Sequence, residues 1–357
     1  MRRLMIVLVA LIAIAIAMGW YFQAEIGERL YARGLEEAVN RDVLAELPDG
    51  LHVAMCGTGS PLPDPGRAGP CTAVIAGDRV FIVDVGAAAV RNFGPMGLPV
   101  GDVDGVFLTH YHSDHIDGLG ELMMLRWTGG GNQAPLPIFG PPGVTGIVEG
   151  LGQAYEIDAG HRIDHHTDRV VPPTGQGGEA REFPMPAEEA MQTIYSEDGL
   201  RVQAFRVDHG PVRPAVGYRF EYGERSVVIS GDTVPREIVA EACDGCDLLI
   251  HEALNIEMVN VVRGQVEATG NSRLGQILAD ITNYHTTPVE AEEIAELGDA
   301  RTLVLTHIVP AVPGGLIESY FLRGTGEASN VPIVVARDGM IFTLPAEGRA
   351  IEQDTLM

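Results

Sequence analysis

Residues 109–115 read Thr-His-Tyr-His-Ser-Asp-His, with apolar Val106, Phe107 and Leu108 before them and Ile116-Asp117-Gly118-Leu119 after. An apolar run ending in such a cluster reads as a buried strand. His110 and His112 leave its end with period-two alternation and so point the same way. Asp114 and His115 then open a helix, where the N-terminal dipole favours a carboxylate and also helps an attacking anion. One segment thereby aims ligand-type side chains at two positions a few ångströms apart. H-x-H-x-D-H spacing is far more specific than histidines scattered over a polar loop, and it points to a hydrolytic metal.

The rest of the chain supplies a scaffold for that segment. Short apolar runs punctuated by glycine and proline predict strands at Val53–Cys56, Thr72–Ala76, Val80–Val85, Val106–Thr109 and Leu136–Phe139. A second series follows at Val202–Val207, Ala215–Glu221, Val227–Ser230, Leu248–His251, Leu303–Thr306 and Val331–Ala336. Helical spacing is expected over Ile116–Trp127 and about 235–243, 272–283 and 288–297. Two such series suggest an α/β sandwich, with helices outside two sheets. Residues 158–200, polar and rich in Gly, Pro and acid, read as a long loop serving as a lid or insertion, with His161, His165 and His166 in it.

Four further segments put a ligand-type residue directly after a strand: Asp208-His209-Gly210-Pro211, Gly231-Asp232-Thr233, His251-Glu252-Ala253 and Thr306-His307. Strand ends are where an α/β scaffold collects a site, because the backbone is rigid there while side chains face a crevice.

With these residues in view, about 50–345 resembles the metallo-β-lactamase superfamily, and within it the ribonuclease Z and arylsulfatase-like branch. The resemblance rests on Gly57-Thr58-Gly59-Ser60-Pro61, Asp84-x-Gly86, the His110–His115 cluster, His209-Gly-Pro with Gly217-Tyr218, Gly231-Asp232-Thr233, His251-Glu252-Ala253, His285-Thr286-Thr287 and Thr306-His307. It implies a four-layer αββα sandwich holding two divalent metal ions, zinc in the first instance, with manganese or iron as alternatives. It also implies that His110, His112 and His209 hold one metal, that Asp114, His115 and His307 hold the second, and that Asp232 bridges both. Asp84 would orient the ligand loop from behind. The related oxygen-reducing di-iron branch carries a glutamate where this chain has His112, which turns the reading away from redox chemistry. His285 would protonate the leaving group, paired with Glu252, while Asp114 orients the nucleophile, a hydroxide held between the metals. His251 reads as buried support, and the bland reading of His285 is a cap for the helix near Pro288.

The N-terminus bears on location. Arg2-Arg3 precede an uncharged apolar run, Leu4 to Gly19, and then Trp20-Tyr21-Phe22. That run suits a membrane-spanning anchor with an interfacial aromatic belt. Ala15-Ile16-Ala17 resembles a signal-peptide cleavage site, but the run is long for a signal core, which favours an uncleaved anchor. Residues 1–22 are thus expected to be a signal anchor or signal peptide, 23–49 a juxtamembrane amphipathic helix, 50–345 the hydrolase domain and 346–357 a tail. The positive-inside rule places the catalytic domain outside the cytoplasm, in the periplasm. Cys243-x-x-Cys246 alone is weak evidence for zinc; after export either it or Cys56 with Cys71 can oxidise, though buried free thiols are expected for the latter pair.

Charge narrows the partners. The net charge is -25, and all 24 cations are arginines, since no lysine occurs. Such a surface repels phosphate backbones and residues 158–200 offer no basic arm, so tight nucleic-acid binding is not expected. The expectation is therefore an exported, membrane-anchored hydrolase of a small anionic ester: a phosphodiester, phosphate or aryl sulfate ester. The alternatives are a lactone or thioester hydrolase on the same scaffold, a ribonuclease Z-type endonuclease, and a non-catalytic binding protein with a vestigial site. A homodimer is left open.

Overall fold

The computed structural model describes residues 2–327 and 329–357. They fall into two units divided after Val43. The first contains helix Arg2–Tyr21 and helix Gln23–Asn40, so the amphipathic helix expected over 23–49 ends at Asn40. Arg2–Tyr21 is long and apolar enough to cross a membrane, a test that signal sequences also pass.

The second unit holds two sheets. β1 (Gly50–Gly57), β2 (Cys71–Ala76), β3 (Arg79–Val83), β4 (Val103–Phe107), β5 (Leu136–Gly140) and β6 (Gly178–Glu182) follow one another across the first. β7 (Met191–Glu197), β8 (Leu200–Arg206), β9 (Val216–Tyr222), β10 (Arg225–Ile229), β11 (Leu248–Leu254), β12 (Leu303–Val309) and β13 (Ile333–Val335) make the second. The chain then returns to the first sheet, where β14 (Met340–Pro345) pairs antiparallel with β1 and β15 (Glu352–Thr355) pairs with β14. β3 to β6 run parallel, as do β10 to β13.

The sheets face each other across a core in which Val53, Phe81 and Phe107 of one meet Tyr218, Phe220 and Ile250 of the other. Alternate apolar side chains of both inner faces leave water here, each contributing about 1.5–3 kcal/mol. On the outer side of the second sheet, Val228, Leu249 and Leu305 pack against Ile238, Val239 and Ile294 of helices Glu237–Cys243 and Pro288–Leu297. Helix Val144–His166 lies against β5 and β6 and meets helix Leu119–Gly130 through Trp127 and Ala159. The helix–sheet–sheet–helix arrangement agrees with the sandwich read from the sequence.

Three expectations need correcting. Residues 158–200 are not a long irregular loop: 158–166 complete a helix of 23 residues, and β6 and β7 lie beyond. His161, His165 and His166 are exposed on that helix. Cys56 and Cys71 are not free thiols but a disulfide joining β1 to β2, and Cys243–Cys246 forms a second. The segment after residue 345 is no free tail, because β15 extends the sheet.

Candidate metal centre

The candidate ligands gather near strand ends, with Asp114 and His115 in the short helix Ser113–Ile116 that follows β4, as the sequence suggests. His110 and His112 leave β4, His209 leaves β8, Asp232 leaves β10 and His307 lies in β12. Opposite β11 the register of β12 slips between Glu252–Thr306 and Ala253–Ile308, so His307 is the extra, bulged residue. Its φ of 48° is that of a left-handed residue. A bulge of this kind breaks the alternation of a strand and re-aims one side chain, here toward the centre. Asp84, after β3, has a φ of 58° and is also left-handed, strain that persists only where surrounding contacts fix it.

Those contacts orient the histidines. The Asp84 carboxylate accepts from Thr109 N at 2.8 Å, from Thr109 Oγ1 at 2.7 Å and from His115 Nδ1 at 2.8 Å. With its hydroxyl hydrogen given to Asp84, Thr109 Oγ1 can only accept from His110 Nδ1, 3.1 Å away. His209 Nδ1 donates to the Tyr284 carbonyl at 3.0 Å. Three rings thus spend their Nδ1 hydrogen on a partner behind them, leaving Nε2 as a lone pair facing inward. Gly86 completes the Asp84-x-Gly86 motif, because a Cβ there would stand 2.5 Å from the Asp114 carbonyl oxygen.

Inward-facing atoms converge. His110, His112, His209 and Asp232 each offer a ligand atom within 4.8 Å of the others, as do Asp114, His115 and His307. A third set, Asp232, His285 and His307, overlaps the second. His110 Nε2 and His209 Nε2 stand 3.0 and 3.4 Å from His112 Nδ1, an arrangement of nitrogens with at most one hydrogen to share. His115 Nε2 is buried without a hydrogen-bond partner, 3.3 Å from Asp232 Oδ2, and His307 Nε2 lies 3.3 Å from both Asp114 Oδ2 and Asp232 Oδ2. A buried imidazole nitrogen left without a partner beside carboxylates is costly unless a cation takes its lone pair. The donor set of nitrogen and carboxylate oxygen fits zinc, manganese or iron, and the residues present fit two divalent ions.

Charge at the centre follows burial and pairing. Burial drives the pKa of His110 well below that of an ordinary histidine, and lowers His209 and His112. Burial opposes charge on His115 too, but Asp232 and Asp84 outweigh it and hold its pKa well above the usual value. Asp232 would rise on burial alone, yet His307, His115 and His110 hold it well below the ordinary carboxylate range.

Beside the ligand set, Glu252 Oε1 accepts from His285 Nδ1 and from Thr286 N, both at 3.0 Å. Burial depresses His285, but the Glu252 carboxylate reverses this and raises its pKa to about 8. His285 does not cap the following helix. Thr287 does, in a capping box with Glu290 that fixes the segment from its C-terminal side. Thr286 Oγ1 donates to the Thr233 carbonyl at 2.6 Å, tying the same segment to the Asp232 loop. His251 is fully buried, with Nδ1 on the Glu252 carbonyl at 2.8 Å, and is in none of the ligand groups. Sequence reasoning missed Thr109 and Tyr284, whose contributions are a hydroxyl relay and a backbone carbonyl. Adjacency to His110 and His285 is the only signal either carried.

Two facing sheets with a His/Asp cluster at their strand ends define a metal-dependent hydrolase of the β-lactamase superfamily. The model of the beta-lactamase superfamily domain matches residues 83–308. The chain belongs to the metallo-β-lactamase superfamily, in its ribonuclease Z branch. It is 36% identical over 272 residues to ribonuclease Z of Mycobacterium bovis (strain BCG / Pasteur 1173P2), covering 76% of this chain and 90% of that protein. Ribonuclease Z of Mycolicibacterium paratuberculosis is 38% identical, with the same coverage. Among solved structures, the short form of human tRNase Z superposes with a TM-score of 0.58 at 22% identity, covering 82% of this chain and 99% of that one.

Proposed function

We propose that the chain is a phosphodiesterase that cleaves short, single-stranded oligonucleotides by ribonuclease Z-type chemistry. His110, His112 and His209 would hold one ion, Asp114, His115 and His307 the other, with Asp232 between them. When bound, the ions supply acidified water as nucleophile and positive charge for the phosphoryl oxygens. Asp114 orients the attacking water. His285, held by Glu252, carries the proton on Nε2 that the departing oxygen takes up. The observation that carries the reading is this His285–Glu252 pair, buried beside the ligand cluster at 3.0 Å. A phosphodiester with an alkoxide leaving group needs such an acid; a lactone or thioester does not need it as much. The curated relatives support a nuclease over an aryl sulfatase. A net charge of -25 supports a short substrate over a large folded RNA.

The test is leaving-group dependence. Metal-loaded protein should hydrolyse both bis-p-nitrophenyl phosphate and short oligoribonucleotides, and lose both activities on chelation. His285→Ala should cost oligonucleotide cleavage about 10²–10⁴-fold, and nitrophenyl ester cleavage far less, because nitrophenolate leaves without a proton. Equal losses on the two substrates would remove His285 from its role, and micromolar binding of intact tRNA at physiological salt would overturn the short-substrate reading.

An exported, membrane-tethered placement belongs to the same proposal. It is supported by the apolar helix Arg2–Tyr21 and by two disulfides, which persist in oxidising compartments. Cell fractionation should recover the protein with membranes and accessible to protease from the outer side; a soluble cytoplasmic pool would refute it.

A further inference from the structure

A cavity of about 380 Å³ is lined in part by the chain on either side of His209, at Asp208 and Val212. Val212 also pairs with His209 through an isolated β-bridge. Three guanidiniums line the same cavity: Arg206, Arg213 and Arg236. The chain has 49 acidic side chains for 24 arginines, and many of its guanidiniums find a carboxylate. Arg225 pairs with Asp247, Arg337 with Glu318 and Arg201 with Glu221. Among the described residues, Arg213 and Arg236 are exposed and enter no ion pair. Arg206 has a buried Nε without a hydrogen-bond partner, and its one carboxylate, Glu188, lies 3.7 Å away with a side chain 78% exposed.

Acidic groups line the cavity too, and one of them, Glu188, pairs with Arg206, but none pairs with Arg213 or Arg236 among the described residues. Asp208 Oδ1 is turned back onto Gly210 N at 3.1 Å. Glu188 and Glu189 lie on the exposed connection between β6 and β7. The cavity therefore presents unspent planar donors, the geometry that takes a phosphate through paired N–H···O bonds. Its volume is within the range of ligand sites. The lining carries three carboxylates for its three arginines, so the selectivity comes from the placement of the donors and not from a net positive field.

We propose that this cavity binds a second phosphate of the substrate, carried on the same chain as the scissile phosphodiester. The proposal rests on the phosphodiesterase reading and narrows it, from a short oligonucleotide with any ends to one bearing a terminal phosphate, at its 5′ or its 3′ end. Glu188 competes with that phosphate for Arg206.

The test uses the full-length, metal-loaded chain and three dinucleotides joined by a hydrolysis-resistant phosphorothioate: one with a 5′-phosphate, one with a 3′-phosphate and one with neither. Calorimetry should show one phosphorylated form binding about tenfold tighter than the bare one, the scale of a charge-assisted contact. The end preferred identifies the source of the phosphate. Arg213→Gln with Arg236→Gln should bring the preference below about twofold, and Glu188→Gln should raise it roughly threefold. Opposite shifts in the two variants cannot both come from a damaged fold. No preference in the unmodified protein, or a preference that survives in the double variant, overturns the proposal. If the preference follows the arginines yet cleavable dinucleotides are not hydrolysed, the phosphate site stands and the phosphodiesterase reading falls.

Discussion

Asp84 shows how much of the centre depends on a side chain in none of the ligand groups. Its two oxygens collect three donors, one of them on His115, and through Thr109 they also set the tautomer of His110. An amide in its place can accept at one position only and must aim its NH2 at another donor. Asp84→Asn should therefore weaken metal binding by about 10–100-fold, the usual cost of losing the partner behind a ligating histidine. Competition against a chromophoric chelator measures this, and unchanged affinity would show that the histidines orient without Asp84. Residues of this kind are legible in a sequence only through a motif. His110, His112, Asp114 and His115 declare themselves by spacing within one segment. Thr109 and Tyr284 act through a hydroxyl and a carbonyl that any chain possesses, so nothing in their identity marked them.

At the scale of elements, the strands that carry the site were readable because each is a buried apolar run ending in a polar residue. β1, β10, β11 and β12 are buried almost throughout, and they fall within a few residues of the expected positions. Helix Val144–His166 is not legible as a helix for the opposite reason. Only Val144, Val148 and Ala159 of it are buried, so it shows no continuous apolar stripe. β6 and β7 are half-exposed edge strands without a continuous apolar pattern, and β6 draws its pairing from β5, remote in sequence, which composition does not reveal. The same non-locality governs how the loop after β1 is held. Asp338 Oδ1 accepts from Thr58 N at 2.9 Å and Oγ1 at 2.8 Å, while Oδ2 accepts from Ala68 N at 2.6 Å and Asn92 Nδ2 at 3.0 Å. The Thr58 carbonyl in turn accepts from Ile308 N at 3.0 Å, one residue beyond His307. Asp338→Asn sets an amide NH2 against donors that already need an acceptor. The loss should be about 1–3 kcal/mol of unfolding free energy in urea. Occupancy by the ion nearer His307 should weaken with it. A midpoint within a few tenths of a kcal/mol of the unsubstituted protein would show that the four contacts are replaceable.

For the molecule as a whole, folding stability should depend on pH through a histidine far in the chain from the ligand segments. His52 lies in β1, fully buried. Its Nε2 donates to the Pro48 carbonyl at 2.8 Å, and its Nδ1 accepts from Leu344 N at 3.3 Å, closing the contact between β1 and β14. Both nitrogens are committed in the neutral ring, and protonating Nδ1 would turn an acceptor into a second donor facing an N–H. Burial accordingly lowers the His52 pKa, with Pro48 and Asp49 opposing in part. The sign follows from proton counting. As pH falls through about 6.5, the unfolded chain takes up a proton at this residue while the folded one does not, so stability falls. The slope from this one group is at most about 1.4 kcal/mol per pH unit, and it ends once pH passes below the lowered folded value. Self-repulsion among the net -25 charges works the other way, since added protons relieve it. The two effects separate in a comparison with His52→Gln, which keeps a donor and an acceptor but does not titrate. Urea unfolding at pH 7.5, 6.5 and 5.5 should show the unsubstituted protein losing stability to acid faster than the variant. Parallel acid slopes would mean that the buried ring accepts its proton in the folded state, contrary to the closed hydrogen bonding around it.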